Sequence, residues 1–320
     1  MPIIGYHASH EQYPPGELLR HVEAAARGGF QAAMCSDHFH PWTAAQGHSG
    51  FAWSWLGAAL QATSLGFGIV NAPGYRYHPA IIAQAAATLA EMFPDRFWIA
   101  VGSGELLNEH ITGERWPGKQ ERNDRLRECA DIMRALWAGE TVTHHGLVTT
   151  EDARLYSLPA KPPLLVGAAL TPATAEWLGG WADALVTTGS RDGLPAIIEA
   201  FRRGGGADKP LFLQVQLSYA RTEEQAWRHA HGQWRSLMAG SAVLANLRNP
   251  AEFEEVGRFV RREDLEGHVR VSTDLEQHIA WLREDFELGF ERVYLHNVSP
   301  EQERFIDDFG GRVIPAVTRT

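Results

Sequence analysis

The sequence predicts an α/β fold, a (β/α)8 TIM barrel with insertions. Short β-type segments alternate with amphipathic helical segments, and eight such strands can be placed along the chain. Repeated β–α units favour a parallel sheet with right-handed crossovers. The segment after the first strand reads His7-Ala8-Ser9-His10-Glu11, so the glycine-rich turn of a doubly wound dinucleotide-binding fold is missing. A closed barrel is therefore favoured over an open sheet.

The first half of the chain follows this alternation closely. A helix is expected over residues 15–28, because Pro15 stands at its start and Gly28 at its end. Apolar residues at helical spacing predict two further helices over residues 51–64 and 78–93. The predicted barrel strands cover residues 3–6, 31–36, 66–71, 97–101, 164–167, 184–188, 211–219 and 292–296.

Two departures from the alternation indicate insertions. Residues 108–117 look irregular, a long helix is expected over residues 119–138, and His145-Gly146 between β-rich segments suggests a hairpin. A second helical insertion covers roughly residues 223–266. Further helices are expected over residues 275–288 and 301–309. The whole chain, residues 1–320, is predicted to be a single barrel domain with insertions near 106–160 and 223–268.

Composition limits the class of protein. The chain is 44% hydrophobic and 21% charged, which is typical of a soluble globular protein. A formal net charge of −10 argues against nucleic acid or anionic membrane as a partner. No run of 18 apolar residues and no signal peptide is visible, since the first arginine is Arg20. We expect a cytoplasmic protein in which Cys35 and Cys129 are free thiols.

The segment Ser36-Asp37-His38-Phe39-His40-Pro41-Trp42 carries most of the chemical information. A plain turn would use glycine, asparagine or aspartate, whereas this one gathers a carboxylate, two imidazoles and an indole. Glu105 follows the fourth predicted strand and adds a second carboxylate. Because the carboxyl ends of barrel strands meet at one mouth, we expect an active site there.

Two chemistries suit these residue types. His38-Phe39-His40 is a His-x-His pair, but it follows the second strand, so a metal-dependent hydrolase is a remote alternative and no metal site is expected. Hydride transfer through a flat flavin-like ring fits better. Asp37 would bind the ring edge, His38 would transfer a proton, and Glu105 would be the partner acid if desolvation raises its pKa. Trp42 would cover the substrate.

The chain resembles the bacterial luciferase-like superfamily, near its coenzyme F420-dependent glucose-6-phosphate dehydrogenases. The resemblance is carried by Gly5-Tyr6-His7-Ala8-Ser9-His10-Glu11-Gln12, the Ser36 to Trp42 segment, Arg76-Tyr77-His78-Pro79 and Gly102-Ser103-Gly104-Glu105-Leu106-Leu107-Asn108. It implies a (β/α)8 barrel with insertions, a flavin-type cofactor and a homodimer. Its motifs are strongest over the first 140 or so residues.

The resemblance also implies residue roles. His38 and Glu105 would be the proton-handling groups, with Trp42 and Glu11 as further pocket residues. A non-proline cis peptide would lie at Ile69-Val70-Asn71, and Gly167-Ala168-Ala169 would be a turn whose backbone N–H groups face the cofactor phosphate. The cofactor-binding residues implied in this way are Asp37, Val70, Asn71, Ser103, Gly104, Asn108, Ala168 and Ala169.

Some expected residues are missing. The basic clamp for a sugar phosphate falls near Glu255 and Gly267, and only Arg191 and Arg270 stand nearby. Glucose 6-phosphate is therefore not the expected substrate, and the chain looks most like the non-F420 flavinoid oxidoreductase branch. FMN is preferred over F420 as cofactor for an unknown small organic substrate. An FMN-dependent monooxygenase and a flavin carrier without turnover remain alternatives.

Overall fold

The computed structural model of the protein describes residues 2–318 and has the predicted strands at its centre. Eight of its strands are parallel and close into a barrel, which confirms the fold class. In chain order the strands are β1 Ile3–Ala8, β2 Ala32–Ser36, β3 Gly66–Asn71, β4 Phe97–Val101, β5 Val142–His145, β6 Thr149–Ala153, β7 Leu164–Ala169, β8 Ala184–Thr187, β9 Leu211–Ser218, β10 Arg270–Val271 and β11 Arg292–Asn297.

The barrel closes between β8 and β9. The order is β1, β2, β3, β4, β7, β8, β9 and β11, and β11 returns to β1. Residues Leu185 to Thr187 of β8 pair with Leu211 to Leu213 of β9, while the short strand β10 pairs with Leu217 and Ser218 at the upper end of β9. Because β11 occupies one edge of β9 along most of its length, β8 and β10 share the other edge.

The helices pack around the barrel. Pro15, Pro79 and Pro172 stand at first helical positions, where a missing N–H costs nothing. None of the helices within residues 2–318 is long and apolar enough to cross a lipid bilayer. They are α1 Pro15–Arg27, α2 Ala52–Ala62, α3 Pro79–Met92, α4 Leu106–Glu109, α5 Lys119–Trp137, α6 Pro172–Gly179, α7 Leu194–Phe201, α8 Glu223–Trp234, α9 Ser241–Leu244, α10 Pro250–Gly257, α11 Leu275–Glu287, α12 Gln302–Asp308 and α13 Ile314–Thr318.

Large aromatic side chains fill the barrel interior. Trp98, Phe212 and Tyr294 are buried together there, and the indole N–H of Trp98 donates a 3.2 Å hydrogen bond to the Tyr294 hydroxyl. Two strand glycines make room for them. A Cβ on Gly68 would lie 1.9 Å from the Trp98 ring, and one on Gly5 would lie 2.3 Å from the Tyr294 ring. Alanine at either position would therefore displace the central packing.

The two departures from the β–α alternation have defined structures. Residues 106–160 hold α4, α5 and the antiparallel hairpin of β5 and β6, and residues 223–268 hold α8, α9 and α10. The prediction that residues 108–117 are irregular is wrong at its start, because Asn108 lies in α4 and a 3-10 turn continues over His110–Thr112. The assignment of the whole chain to a single domain stays a prediction.

Candidate active site

Buried polar residues gather where β1, β2, β3 and β4 end. Glu11, Asp37, Asn71 and Asn108 are all at most 4% exposed. Because the barrel strands are parallel, these ends share one mouth. The structure therefore brings together residues that are separated by up to about 100 positions in the chain.

Asp37 is held by three neighbouring side chains. Its Oδ2 accepts a 2.7 Å hydrogen bond from Asn71 Nδ2, and its Oδ1 accepts a 3.2 Å bond from the Tyr77 hydroxyl. Arg76 donates to the Asp37 backbone carbonyl, and its guanidinium lies 3.5 Å from Asp37 Oδ2. Both carboxylate oxygens are thus engaged. Asp37 anchors the loop in front of His38, and its contact with a cofactor stays a prediction.

His38 lies between Glu11 and Trp42. Its Nδ1 is 3.7 Å from Glu11 Oε1, and its ring centroid is 4.6 Å from the Trp42 ring. The Ser49 hydroxyl donates a 2.7 Å hydrogen bond to the His38 backbone carbonyl, which fixes the loop from the other side. Burial, together with the positive charge of Arg76, lowers the pKa of His38 to about 4. The imidazole is therefore neutral at physiological pH and free to accept a proton.

Glu11 and Glu105 are the two acids of the mouth. Burial raises the pKa of Glu11, whose Oε2 accepts a 2.8 Å hydrogen bond from the Ser9 hydroxyl. Burial, followed by the negative charges of Glu109 and Glu11, raises the pKa of Glu105 to about 8. Glu105 therefore carries a proton at pH 7. A neutral base and a protonated acid at one mouth make up the pair that general acid–base chemistry requires.

The second insertion reaches the mouth through aromatic and polar contacts. Trp42 packs at 5.2 Å against Phe253 of α10, which is fully buried. The Leu106 backbone N–H donates a 3.0 Å hydrogen bond to the carbonyl of Ala245, just beyond α9. Trp116 donates a 3.1 Å bond to Asn246. The insertion thus packs against Trp42 through Phe253 and contacts the start of α4.

Ser103 and Gly104 lie in the short turn-like connection between β4 and α4. Ser103 Oγ accepts a 2.7 Å hydrogen bond from Lys119 Nζ, and burial lowers the pKa of that lysine to about 8. Gly104 has a φ of +80°, and a Cβ there would lie 3.1 Å from Glu109 and 3.2 Å from Trp116. The turn therefore requires glycine both for its backbone angle and for space.

Asn108, which was predicted to contact the cofactor, hydrogen-bonds to the backbone of the loop after β2. Its Oδ1 accepts hydrogen bonds of 2.9 Å from the Phe39 N–H and 3.3 Å from the His40 N–H. This ties α4 to the loop that follows β2. His40 Nδ1 lies 2.9 Å from the Leu107 carbonyl and its ring stacks on His110, so His40 and His38 have different neighbours. No group of three or more side chains in residues 2–318 is placed to hold a metal ion.

Two expectations about the backbone are wrong. No cis peptide bond occurs in the described part of the chain, so Val70-Asn71 is trans. Ala168 and Ala169 are not in a turn, because β7 continues to Ala169 and pairs it with Thr187 of β8. The start of α6 is already capped by the Thr171 hydroxyl, which accepts from the Thr174 N–H, and Pro172 has no N–H to offer.

The mouth contains buried polar atoms without hydrogen-bond partners among the described residues, which a flat cofactor could pair with. Asn71 Oδ1, His38 Nδ1 and Glu11 Oε1 are buried and have no hydrogen-bond partner within residues 2–318. Each such atom costs about 1–3 kcal/mol unless a ligand completes it. Beside them Val70 and Ala168, the partly exposed uppermost residues of the barrel interior, form a small apolar floor. A ring with apolar faces and polar edges fits this surface.

Several residues of the site were not identified from the sequence. Arg76, Tyr77 and Glu109 form the hydrogen-bond and ion-pair network around Asp37, and Phe253 supports Trp42. Arg76 and Tyr77 belong to a motif that carried the family resemblance, which was the available signal. Phe253 lies more than 200 positions from Trp42 and gives no local signal.

The chain is similar over most of its length to proteins of a known family. A family model described as luciferase-like monooxygenase matches residues 4–292. The chain is 34% identical to an F420-dependent glucose-6-phosphate dehydrogenase of Intrasporangium calvum, with 98% of each chain covered. It is 33% identical to the enzyme of the same name from Microbacterium testaceum, covering 99% of this chain and 97% of that one.

Two solved structures are similar to the chain over nearly its whole length. An F420-dependent secondary alcohol dehydrogenase in complex with an F420-acetone adduct superimposes with a TM-score of 0.91, at 31% identity and with 99% of each chain covered. The coenzyme F420-dependent tetrahydromethanopterin reductase of Methanopyrus kandleri has a TM-score of 0.81 over 99% of this chain and 100% of that one. At 18% identity this second likeness concerns the fold alone.

Proposed function

The chain belongs to the luciferase-like monooxygenase family and is an oxidoreductase of the flavin or deazaflavin class; on that premise, we propose that its cofactor is coenzyme F420. The sequence-based preference for FMN finds no support in the three relatives above 30% identity, because their names all specify F420. Val70, Asn71, Ser103, Gly104 and Ala168 would hold the ring at the mouth.

We propose that the substrate is an uncharged secondary alcohol, or the corresponding carbonyl compound in the reverse direction. One set of relatives is named for glucose 6-phosphate and the solved structure for a secondary alcohol. The charge of the site distinguishes the two. Arg76 is paired with Asp37 and Glu109, and the His38 imidazole is neutral, so neither offers a free positive charge to a phosphate.

The two arginines nearest to the expected phosphate clamp are also occupied. Arg270 makes two 2.7 Å hydrogen bonds to Asp285, which is buried. Arg191 pairs with Glu284. A dianionic phosphate at this mouth would instead face Glu11 and Glu105, and none of these three arginines is free to offset its charge. The single observation that carries the substrate proposal is this pairing of the available arginines with carboxylates of the protein.

The roles of the side chains follow from their protonation states. When bound, the deazaflavin ring supplies a hydride acceptor for the carbon that bears the substrate hydroxyl. The neutral imidazole of His38 accepts the hydroxyl proton, and Glu11 Oε1, 3.7 Å from His38 Nδ1, stabilises the imidazolium that results. Protonated Glu105 is the second proton-handling group, and Trp42 with Phe253 excludes water from one side.

The experiment compares cofactors and substrates directly. Purified protein is titrated with F420 and with FMN, and F420 reduction is then followed with propan-2-ol and with glucose 6-phosphate. We expect binding of F420 in preference to FMN, and reduction with propan-2-ol only. Exclusive binding of FMN would overturn the cofactor assignment. Turnover of glucose 6-phosphate with none of propan-2-ol would overturn the substrate assignment.

We also propose that the enzyme is a homodimer formed through α2 and α3. Helix α2 carries no charged residue, and α3 carries only Glu91. Trp53 of α2 and Ile81 of α3 line one shallow surface groove, and Ile81 is 57% exposed. Uncharged helix faces of this kind are usually covered by another protein surface.

A cytoplasmic location is the last part of the proposal. Cys35 and Cys129 are both free thiols, and each is buried within the fold. A reducing compartment keeps such thiols free, whereas secreted proteins more often use cysteine in disulfides. Fractionation of the native host, followed by immunodetection, tests this location. Recovery of the protein from a secreted fraction would contradict it.

A further inference from the structure

Arg76 contacts both segments that carry the proton-handling residues His38 and Glu105. Its guanidinium group is 3.5 Å from Asp37 Oδ2, and its Nε donates a 3.1 Å hydrogen bond to Glu109 Oε1. Its backbone N–H donates a second 3.1 Å bond to Glu109 Oε2. The three side chains are 5%, 0% and 1% exposed for Arg76, Asp37 and Glu109. The arrangement is a buried carboxylate–guanidinium–carboxylate bridge.

Each carboxylate of this bridge belongs to a residue close in sequence to a proton-handling residue. Asp37 immediately precedes His38. Glu109 lies one helical turn after Glu105, and its N–H donates a 3.1 Å hydrogen bond to the Glu105 carbonyl. Arg76 therefore joins the segment after β2 to the segment after β4. A displacement of the guanidinium would move both His38 and Glu105 relative to each other.

We propose that Arg76 is a positioning residue that fixes the separation of His38 and Glu105. This role depends on the proposed function only for what those two residues do in the reaction. Arginine suits the role because its planar guanidinium donates at fixed angles to Glu109 Oε1 through Nε and to the Asp37 backbone carbonyl through a terminal nitrogen, which a lysine ammonium cannot do. The Tyr77 ring, 4.5 Å below the guanidinium, and its hydroxyl on Asp37 hold the fork in place.

The charge of Arg76 acts on both groups in the same direction. Glu105 is faced by Glu109 of α4, by Glu11 after β1 and by Arg76; the two carboxylates raise the pKa of Glu105, and Arg76 lowers it. His38 is faced by Arg76 and His40, which lower its pKa, by Asp37, which raises it, and by Glu11 at 3.7 Å. Loss of the guanidinium charge should therefore raise both pKa values.

Two variants with opposite expected effects test the proposal. The pKa of Glu105 is measured in cofactor-free protein by NMR of ¹³C-carboxyl-labelled glutamate, with Glu105→Gln to assign its signal. We expect Arg76→Met to raise this pKa by about one unit and Glu109→Gln to lower it by a similar amount. We expect the alkaline limb of propan-2-ol oxidation with F420 to move in the same two directions.

A third variant separates position from charge. Arg76→Lys keeps one positive charge but loses the fork, so we expect the Glu105 pKa to stay within a few tenths of a unit while kcat falls at least about tenfold. Arg270→Lys is the matched control, because Arg270 is also buried and bonded through its fork to one carboxylate, Asp285. This control should lower stability without moving the Glu105 titration.

The outcomes are distinguishable from a failure of the proposed function. If wild-type protein shows no turnover of propan-2-ol, that function is wrong, while the NMR titrations still test the role of Arg76. Shifts of the Glu105 pKa in the same direction for Arg76→Met and Glu109→Gln, or no shift in either, would overturn the inference. If Arg76→Met does not fold, Arg76→Lys decides the matter: an unchanged kcat in that variant would overturn the inference.

Discussion

At the scale of single residues, desolvation decides the chemistry of the mouth. A histidine and a glutamate in water would be partly charged and fully charged at neutral pH. Here burial lowers the pKa of His38 to about 4 and raises that of Glu105 to about 8, so both are neutral. The sequence supplies the two side chains, and the fold exchanges their usual roles as acid and base.

His38 is expected to carry proton transfer. His38→Asn should lower kcat by about 10²–10⁴-fold, the usual contribution of a positioned general base. The matched control is His40→Asn, because His40 follows in the same loop but lies against the Leu107 carbonyl and His110. Steady-state kinetics with F420 and propan-2-ol measure both. Equal losses in the two variants would contradict the assignment of His38.

Glu105 should make the protein less stable as the pH rises. Its pKa is about 8 in the folded protein against an ordinary value of 4.5, so the folded state holds a proton that the unfolded state releases. The resulting stability is complete below pH 4.5 and is lost as the pH rises through 8.

Glu105→Gln removes this dependence. The difference in unfolding free energy between wild type and variant should change by on the order of 3 kcal/mol between the two ends of that pH window. Urea unfolding at each end measures it. Parallel behaviour of the two proteins across the window would show that the Glu105 pKa is close to its ordinary value.

At the scale of secondary-structure elements, the insertions and the outer helices have separate tasks. Residues 223–268 bring Phe253 to Trp42 and cover the start of α4, so they shape the substrate side of the mouth. Helices α2 and α3 lie on the outside of the barrel, and Glu91 is the one charged residue of the two helices.

A charge placed on α2 should prevent dimer formation. Ala58 is exposed on α2, and Ala58→Glu would bury an unpaired carboxylate if that face is covered by a second subunit. Light scattering coupled to size exclusion should give a dimer for wild type and a monomer for the variant. Ala196→Glu on α7 is the control, since Ala196 is equally exposed beside the charged Glu199. A dimeric Ala58→Glu protein would exclude this interface.

At the scale of the whole molecule, the barrel gathers neutral histidines at and around its mouth. Burial lowers the pKa of His10 to about 4 and that of His296 to about 3, and it also lowers the pKa of His7 well below its ordinary value. The His7 and His296 rings lie 4.5 Å apart, so protonation of one opposes protonation of the other. These imidazoles and that of His38 therefore stay unprotonated in the folded protein at pH values at which they would be protonated in the unfolded chain.

The fold should therefore lose stability in mild acid. A histidine with a lowered folded pKa stabilises the protein above its ordinary pKa of 6.5, and this contribution is lost as the pH falls towards 4. Each contributes about 1.4 kcal/mol per pH unit in that range, partly offset by carboxyls with raised pKa such as Glu11. Thermal unfolding at a series of pH values should show Tm falling steeply.

His278 provides the control for this acid sensitivity. It is buried away from the mouth against Tyr219 and Phe309, and burial lowers its pKa to about 4. His278→Gln should reduce the slope of unfolding free energy against pH by the share of one histidine. A wild-type Tm that stays flat from pH 6.5 down to 4 would show that these imidazoles charge freely in the folded state.

The barrel strands were predictable, and several contacts of the site were not. All eight strand segments lie where the alternation placed them, because parallel strands buried on both faces give short apolar runs that flanking turns delimit. Helix α7 was not located, and the turn expected at Ala169 is strand, since strand ends depend on neighbouring strands that the local sequence does not contain. The trans backbone at Val70-Asn71 likewise departs from what the family resemblance implied.

The sequence by itself determined the barrel, the loop that carries His38 and Trp42, and the family. These follow from local patterns, because hydrophobic periodicity and motif order are properties of neighbouring residues. Only the tertiary structure decided that Arg76 joins Asp37 to Glu109, that Phe253 supports Trp42, and that Arg270 is already paired. Burial and charge pairing depend on residues far apart in the chain, so protonation states and substrate charge appear only once the barrel closes.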